Sequence, residues 1–159
     1  MIVVNDTRFK EICFVGFLLT PLLVSLWLTF GLGYRLLFNT THSLAHHVYL
    51  ATPTHGFLQR GVYIAFKHNA STHVVVKRVI GVEGDRIEHD AYVIVVHKTT
   101  LSLKEKRSNG TALTPLNASI VPAGMVFVAG DHPDSFDSRY NEFGLVPLST
   151  VRGRVWPVF

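Results

Sequence analysis

The stretch Val74–Ile80, VVVKRVI, carries the main signal for the fold of this chain. Side chains of a β-strand alternate between two faces, so Lys77 shares one face with valines while Arg78 shares the other with a valine and an isoleucine. Both faces are otherwise apolar, and the pattern therefore predicts a strand that is buried on both sides. At least one of the two cations must then lie in a poorly hydrated place, and Arg78 is expected to pair with a carboxylate.

Further strand-like runs follow the same pattern and predict a mainly β fold. Residues with β-branched or aromatic side chains dominate four more runs, at 62–66, 92–96, 125–129 and 151–158. Pro157, near the end of the last run, suits an edge strand because it lacks an N–H donor. We therefore expect one antiparallel, sheet-rich domain over 36–159, in which the polar segment 98–118 forms an exposed loop or hairpin insertion.

The N-terminal region has the composition of a membrane anchor. No charged side chain occurs in 12–34, a length that covers a hydrocarbon core of about 30 Å, and Pro21 predicts a kink near its middle. A cleavable signal peptide is the alternative, because Ser43–Ala45 imitates a small–x–small cleavage site. The apolar cores of signal peptides run only about 7–15 residues, which favours a retained transmembrane helix.

The basic residues around this run predict its orientation. Arg8 and Lys10 precede it, and Arg35 alone follows it. Lys and Arg are enriched on the cytoplasmic side of membrane segments. The short segment 1–11 is therefore expected in the cytoplasm, and 36–159 outside the membrane.

Charge and cysteine content exclude several classes of function. The net charge of +4 (15 basic minus 11 acidic residues) includes no basic stripe interleaved with aromatics, so we predict no nucleic-acid binding. Cys13 is the only cysteine, so no intrachain disulfide is possible. His42, His46 and His47 lack an evident set of ligand partners, and neither a metal nor another cofactor is predicted. A histidine cluster near anionic lipid headgroups is the favoured interpretation.

Lys77 is the first candidate for chemistry. Burial disfavours an ammonium, so a lysine in this strand can become a neutral amine and act as a general base. Its partner in a Ser/Lys dyad would be Ser43, which a short link places just after the predicted anchor. The alternatives are a lysine whose ammonium reaches the solvent at a sheet edge and an ordinary serine in a polar turn.

The segment 130–140, GDHPDSFDSRY, adds a dense group of polar side chains. It holds three carboxylates, two hydroxyls and an arginine, in a spacing that does not follow an EF-hand. Asp137 and Arg139 are expected to form an internal ion pair. Ser135 or Ser138 is expected to orient a nearby amine.

Taken in order and spacing, these segments resemble the signal peptidase I family of membrane-bound serine peptidases. The resembling blocks are 76–85, 121–124, 127–131 and 137–140. The resemblance implies a signal-peptidase-like catalytic domain after the anchor, in the periplasm of a bacterium. The site residues it implies are the nucleophile Ser43, the base Lys77, the oxyanion donors Thr41 and Ser43 N–H, the lysine partner Ser135, and the structural pair Asp137 and Arg139.

One branch of that family resembles this chain more closely. Residues 39–44 and 48–49 are similar to the TraF-type conjugal-transfer peptidases, although histidines stand where that branch has a proline and a glycine. The resemblance implies maturation of a prepilin, or of another membrane-inserted preprotein, by removal of a leader or C-terminal peptide. Water or the pilin's own amine can resolve the acyl-enzyme, and the latter gives a cyclic pilin. The alternatives are a general signal peptidase I and a non-catalytic β-domain in pilus assembly.

Overall fold

A computed structural model describes residues 6–39, 43–53, 58–69 and 71–159 of the chain. The chain divides into two compact units, one up to Arg35 and the other over Leu36–Phe159. The first unit contains helix α1, Asp6–Gly31, with Pro21 inside it. Apolar side chains such as Phe17 and Trp27 are exposed along α1.

Within the described residues, no helix has the length and mean hydropathy that a membrane span requires. The transmembrane helix expected over 12–34 stays a prediction.

The second unit is built of short strands, as the apolar runs predicted. In the described residues these are β1 Arg35–Phe38, β2 Val48–Thr52, β3 Tyr63–Lys67, β4 Val74–Gly81, β5 Ile87–His89, β6 Val93–Val96, β7 Thr99–Ser102, β8 Met125–Ala129, β9 Val146–Pro147 and β10 Val151–Pro157. A 3-10 turn, Leu148–Thr150, joins the last two.

The strands form two antiparallel sheets. Seven of them lie in the order β1-β2-β10-β3-β4-β8-β9, and a smaller sheet has the order β5-β6-β7. The registers described between β2 and β10 are antiparallel, as are those along the rest of the large sheet and within the small one. The mainly β, antiparallel fold expected from the sequence is confirmed.

The centre of the large sheet is buried on both faces. On β8, Phe127 packs into one apolar cluster with Val96 of the small sheet, whereas Val126 and Val128 pack into a second cluster with Phe66. This division follows from the alternation of side chains along a strand. Strand β4 changes along its length, because Val74 is half exposed while the residues from Val79 onward are buried.

The edge position expected for the last strand is wrong. Strand β10 lies inside the large sheet, between β2 and β3. Pro157 pairs with Tyr49 on β2 but lies beyond Val155, the last β10 residue paired with β3. Its missing N–H therefore removes no hydrogen bond to β3, which is how an interior strand accommodates this proline.

The segment 98–118 combines a strand with a hairpin. Its first part contains β7, which pairs with β6 in the small sheet. Its second part turns back on itself through a bridge between Lys106 and Ala112 and then reaches the buried Leu116. The hairpin brings basic side chains to the cavities described below.

Candidate active site

Lys77 lies in the buried part of β4. Its side chain is only 5% exposed, and its Nζ donates a hydrogen bond of 2.6 Å to Ser135 Oγ. Burial lowers the pKa of the Lys77 ammonium from 10.5 to about 8, and the nearby Asp137 carboxylate opposes part of that shift. At a pH near 8 a large fraction of Lys77 is therefore a neutral amine, which can accept a proton.

Ser135 is fixed beside this amine by the turn that follows β8. Its N–H donates to the carbonyl of His132 at 3.1 Å, and its side chain is buried. Gly130 leaves the room that this packing needs, because a Cβ there would collide with the Ser135 side chain and would lie 2.6 Å from the Ser43 carbonyl oxygen. Ser135 and the Ser43 backbone therefore meet at the same glycine.

The backbone of Ser43 is held by that turn. Its carbonyl accepts hydrogen bonds from the N–H of Asp131 at 2.8 Å and of His132 at 3.3 Å. The following segment is tied down as well, because Ala45 N–H donates to the Asp131 carboxylate at 3.2 Å and Leu44 is buried. These contacts hold Ser43, which is partly exposed, next to the turn that carries the hydrogen-bond partner of Lys77.

A buried ion pair stabilises the turn that follows β8. Arg139 donates to both carboxylate oxygens of Asp137, at 2.8 and 3.0 Å, and both side chains are at most 1% exposed. The remaining guanidinium N–H groups donate to the carbonyls of Ser102, Pro133 and Ser135 at 2.8–2.9 Å. Because a buried charge is tolerated only when it is paired and hydrogen-bonded, this network fixes the backbone path of the turn.

Asp131 links three elements around the site, which sequence reasoning did not foresee. The carboxylate that pairs with Arg78 is Asp131, with Nη2 and Oδ1 3.2 Å apart. Tyr63 on β3 donates its phenol O–H to Asp131 Oδ2 at 2.9 Å, and burial raises the pKa of Tyr63 to about 12. The only sequence signal for this role is the position of Asp131 in the polar segment 130–140.

Two cavities reach Ser43 and Lys77. The basic cavity, of about 540 Å³, is also lined by Lys104, Lys106, Arg107 and His132. The apolar cavity, of about 670 Å³, is also lined by Tyr49, Val75, Val76 and Phe143. Lysine, serine and two clefts thus share one location, and this combination of groups suits nucleophilic attack on a carbonyl.

Not every predicted residue of the site is placed beside Lys77 by the structure. Thr41, the expected side-chain donor to an oxyanion, lies outside the described residues, as does His42. Ser138 is buried in the turn, but its hydroxyl accepts the N–H of Val128 at 3.2 Å. Across the described ranges, no three His, Cys, Asp or Glu side chains are arranged to hold a metal ion.

Comparison with known proteins identifies the family. The family model described as "Signal peptidase, peptidase S26" matches residues 10–159, and the chain belongs to that family. The resemblance to signal peptidases is thereby confirmed. Membership supports a serine peptidase that acts on a preprotein.

Two relatives illustrate the match. The conjugal transfer protein TraF of Agrobacterium fabrum is 36% identical over 87 residues, which cover 54% of this chain and 48% of that protein. The chain thus matches about half the length of this curated relative. A signal peptidase I of Enterococcus faecalis, solved by crystallography, is 30% identical, with a TM-score of 0.45 over 63% of this chain and 97% of the other.

Proposed function

We propose that this protein is a membrane-anchored serine endopeptidase with a Ser43/Lys77 dyad, and that it matures a conjugative prepilin. One observation carries the proposal. The buried Lys77 amine, with a pKa of about 8, is hydrogen-bonded to Ser135 on the turn that also binds the Ser43 backbone. A desolvated lysine beside a serine has the chemistry of a general base.

The first half of the reaction forms an acyl-enzyme. Neutral Lys77 takes the proton of the Ser43 hydroxyl while Ser43 Oγ attacks the scissile carbonyl. The Ser43 N–H and the Thr41 hydroxyl donate to the developing oxyanion. The protonated Lys77 then gives its proton to the departing amine as the C–N bond breaks. The hydrogen bond to Ser135 keeps the amine in place throughout.

The second half releases the product. Water that loses a proton to Lys77 attacks the ester and gives a linear, trimmed peptide. The N-terminal amine of the pilin can attack instead, and it then gives a cyclic product with one water less. The similarity to TraF-type proteins favours the amine.

The substrate is held as an extended strand. Of the described strands, only β3 pairs with the first half of β4, at Val74–Lys77, while β8 pairs from Arg78 onward. The free side of Val74–Val76 lines the apolar cavity, so a peptide can add to this edge by main-chain hydrogen bonds. Small apolar residues at positions −1 and −3 before the cut would fit this cavity.

The compartment follows from the proposed anchor. Support for it comes from the charge-free run 12–34 and from the exposed apolar side chains of α1. An anchor in the bacterial inner membrane would keep 36–159 in the periplasm, beside membrane-inserted substrates and lipid.

A general signal peptidase I is the second candidate function, favoured by the family match over 10–159.

Intact-mass spectrometry of a candidate prepilin tests the proposal. Purified protein should convert the prepilin to a trimmed product, and Ser43→Ala should leave the precursor intact, because no other group supplies the nucleophile. A product mass one water below that of the trimmed linear peptide indicates cyclisation, whereas the linear mass indicates hydrolysis.

The matched control is Ser149→Ala, which removes a hydroxyl from an exposed residue that lines neither cavity. It should process prepilin at close to the wild-type rate. Equal processing by wild type and Ser43→Ala would refute the enzyme and favour a non-catalytic domain in pilus assembly.

A further inference from the structure

The two cavities at the dyad differ in chemical character. Arg107 and Phe136 line both of them, and the Arg107 guanidinium lies over the Phe136 ring at 4.1 Å from its centroid. This stacked pair is therefore shared by the two clefts that reach Ser43 and Lys77. A peptide that crosses the dyad would lie with one flank on each side of it.

The basic cavity has an excess of positive charge. Besides Lys77, its described lining residues include the cations Lys104, Lys106 and Arg107, and Asp134 is the only carboxylate. Lys104 forms an ion pair with Asp134. Within the described residues no ion pair involves Lys106 or Arg107. Two cations are thus left to face whatever enters this cleft.

The apolar cavity shares Arg107 with the basic one but also contains Val74–Val76 of β4, and the position of this free strand edge sets the direction of the peptide. If small apolar residues before the cut bind beside the free edge of β4, the residues after the cut must enter the basic cavity. This step rests on the proposed function. The two uncompensated cations then face the segment that leaves with the amine.

We propose that the basic cavity selects substrates with carboxylates in the first few residues after the scissile bond. The carboxylate can be an Asp or Glu side chain or the free C-terminus of a short leaving peptide. A positive cleft beside low-dielectric walls attracts an acidic segment and penalises a basic one, which gives specificity as well as a faster encounter.

The test uses the full-length protein in zwitterionic detergent and four peptides. All share alanine at −1 and −3 and one apolar segment before the cut. After the cut they carry Glu-Glu or Gln-Gln, each with a free or an amidated C-terminus. At low ionic strength kcat/KM should be about tenfold higher for Glu-Glu than for Gln-Gln, and added salt should shrink the ratio. The free and amidated ends separate the two sources of carboxylate.

Charge reversal at the cavity sharpens the test. Lys106→Glu should abolish the preference, because the new carboxylate offsets the charge of Arg107 and leaves the cleft without excess positive charge. Lys67→Glu makes the same change on an exposed residue of β3 that lines neither cavity, and it should keep the wild-type ratio.

The outcomes separate this inference from the proposed function. Equal cleavage of all four peptides overturns the inference and leaves the peptidase intact. The cleavage assay is repeated in vesicles of anionic phospholipid. If Lys106→Glu changes the rates only in these vesicles, the cations bind lipid headgroups, and the inference is likewise overturned. If the wild type cleaves none of the peptides, the proposed function fails. Fluorescence anisotropy with Ser43→Ala then decides the inference, because tighter binding of Glu-Glu than of Gln-Gln supports it and equal binding overturns it.

Discussion

At the scale of single residues, the chemistry depends on how one amine is desolvated. Lys77 is buried, and its pKa of about 8 results from burial more than from any neighbouring charge. Arg78, next in sequence, keeps a side chain that is 40% exposed and pairs with Asp131. Adjacent cations thus have opposite environments because they point to opposite faces of β4.

The pH dependence of activity follows from this pKa. Below about pH 8 the amine of folded Lys77 is increasingly protonated, so kcat/KM should fall about tenfold per pH unit on the acid side and level off above pH 8. A steady-state pH profile with a soluble peptide measures this.

Lys77→Arg keeps the charge but cannot deprotonate, so it should abolish turnover. Retention of more than about a hundredth of the wild-type rate would contradict the role of Lys77.

The two serines of the turn should differ sharply when truncated. Ser135→Ala removes the hydroxyl that accepts the Lys77 hydrogen bond, and kcat should fall by about 10- to 100-fold because a bond to a charged or basic group contributes about 1.5–3 kcal/mol. Ser138→Ala is the matched control, since its hydroxyl binds the Val128 N–H instead. Single-turnover rates of the two variants measure this difference. Equal loss in the two would mean that Ser135 acts only through folding.

At the scale of elements, the turn between β8 and β9 organises the site. It supplies the partner of Lys77, the N–H groups that bind Ser43 and the carboxylate that binds Arg78. Its shape depends on the buried Asp137–Arg139 pair, because Arg139 donates to four backbone carbonyls, three of them within the turn. Loss of this ion pair should therefore impair both folding and catalysis.

Breaking the buried pair should be costly. Asp137→Asn leaves an uncompensated guanidinium in the interior, and the free energy of unfolding should fall by about 3–5 kcal/mol. Urea denaturation followed by tryptophan fluorescence measures it. Asp134→Asn, which breaks the exposed pair with Lys104, is the control and should leave stability almost unchanged. If the Asp137→Asn variant is as stable as the wild type, the turn does not depend on the charge of the Asp137 carboxylate.

At the scale of the whole molecule, the candidate chemistry lies in one unit. Every described residue of the site belongs to Leu36–Phe159, and the other unit contributes helix α1 with its exposed apolar side chains. If the apolar run 12–34 anchors the protein, Ser43 follows its end by nine residues. That distance suits a substrate whose cleavage site lies just outside the bilayer.

Protease accessibility tests this arrangement. Protease added to spheroplasts should digest 36–159 and leave the first residues protected, because the basic residues before the apolar run favour a cytoplasmic N-terminus. Immunoblots against tags at each end report the two regions. An intact cytoplasmic marker protein controls for lysis. Digestion of 36–159 only after lysis would invert the orientation and move the site to the cytoplasm.

The sequence by itself determined the features that depend on neighbours along the chain. Alternation predicted β3, β4, β6, β8 and β10, and an apolar strand around Lys77 predicted a lysine with poor hydration. The strands β1, β2, β5, β7 and β9 were missed, because two to five residues without an unbroken β-branched run such as that of β6 carry too little periodicity to separate a strand from a turn.

Only the tertiary structure decided which distant groups meet. The sequence predicted a carboxylate for Arg78 and a hydroxyl for the amine, but not that they are Asp131 and Ser135. It placed β10 at an edge, whereas the fold puts it between β2 and β3. The physical reason is range: strand periodicity is a property of adjacent residues, whereas register, strand order and cavities arise from packing between segments far apart in the chain.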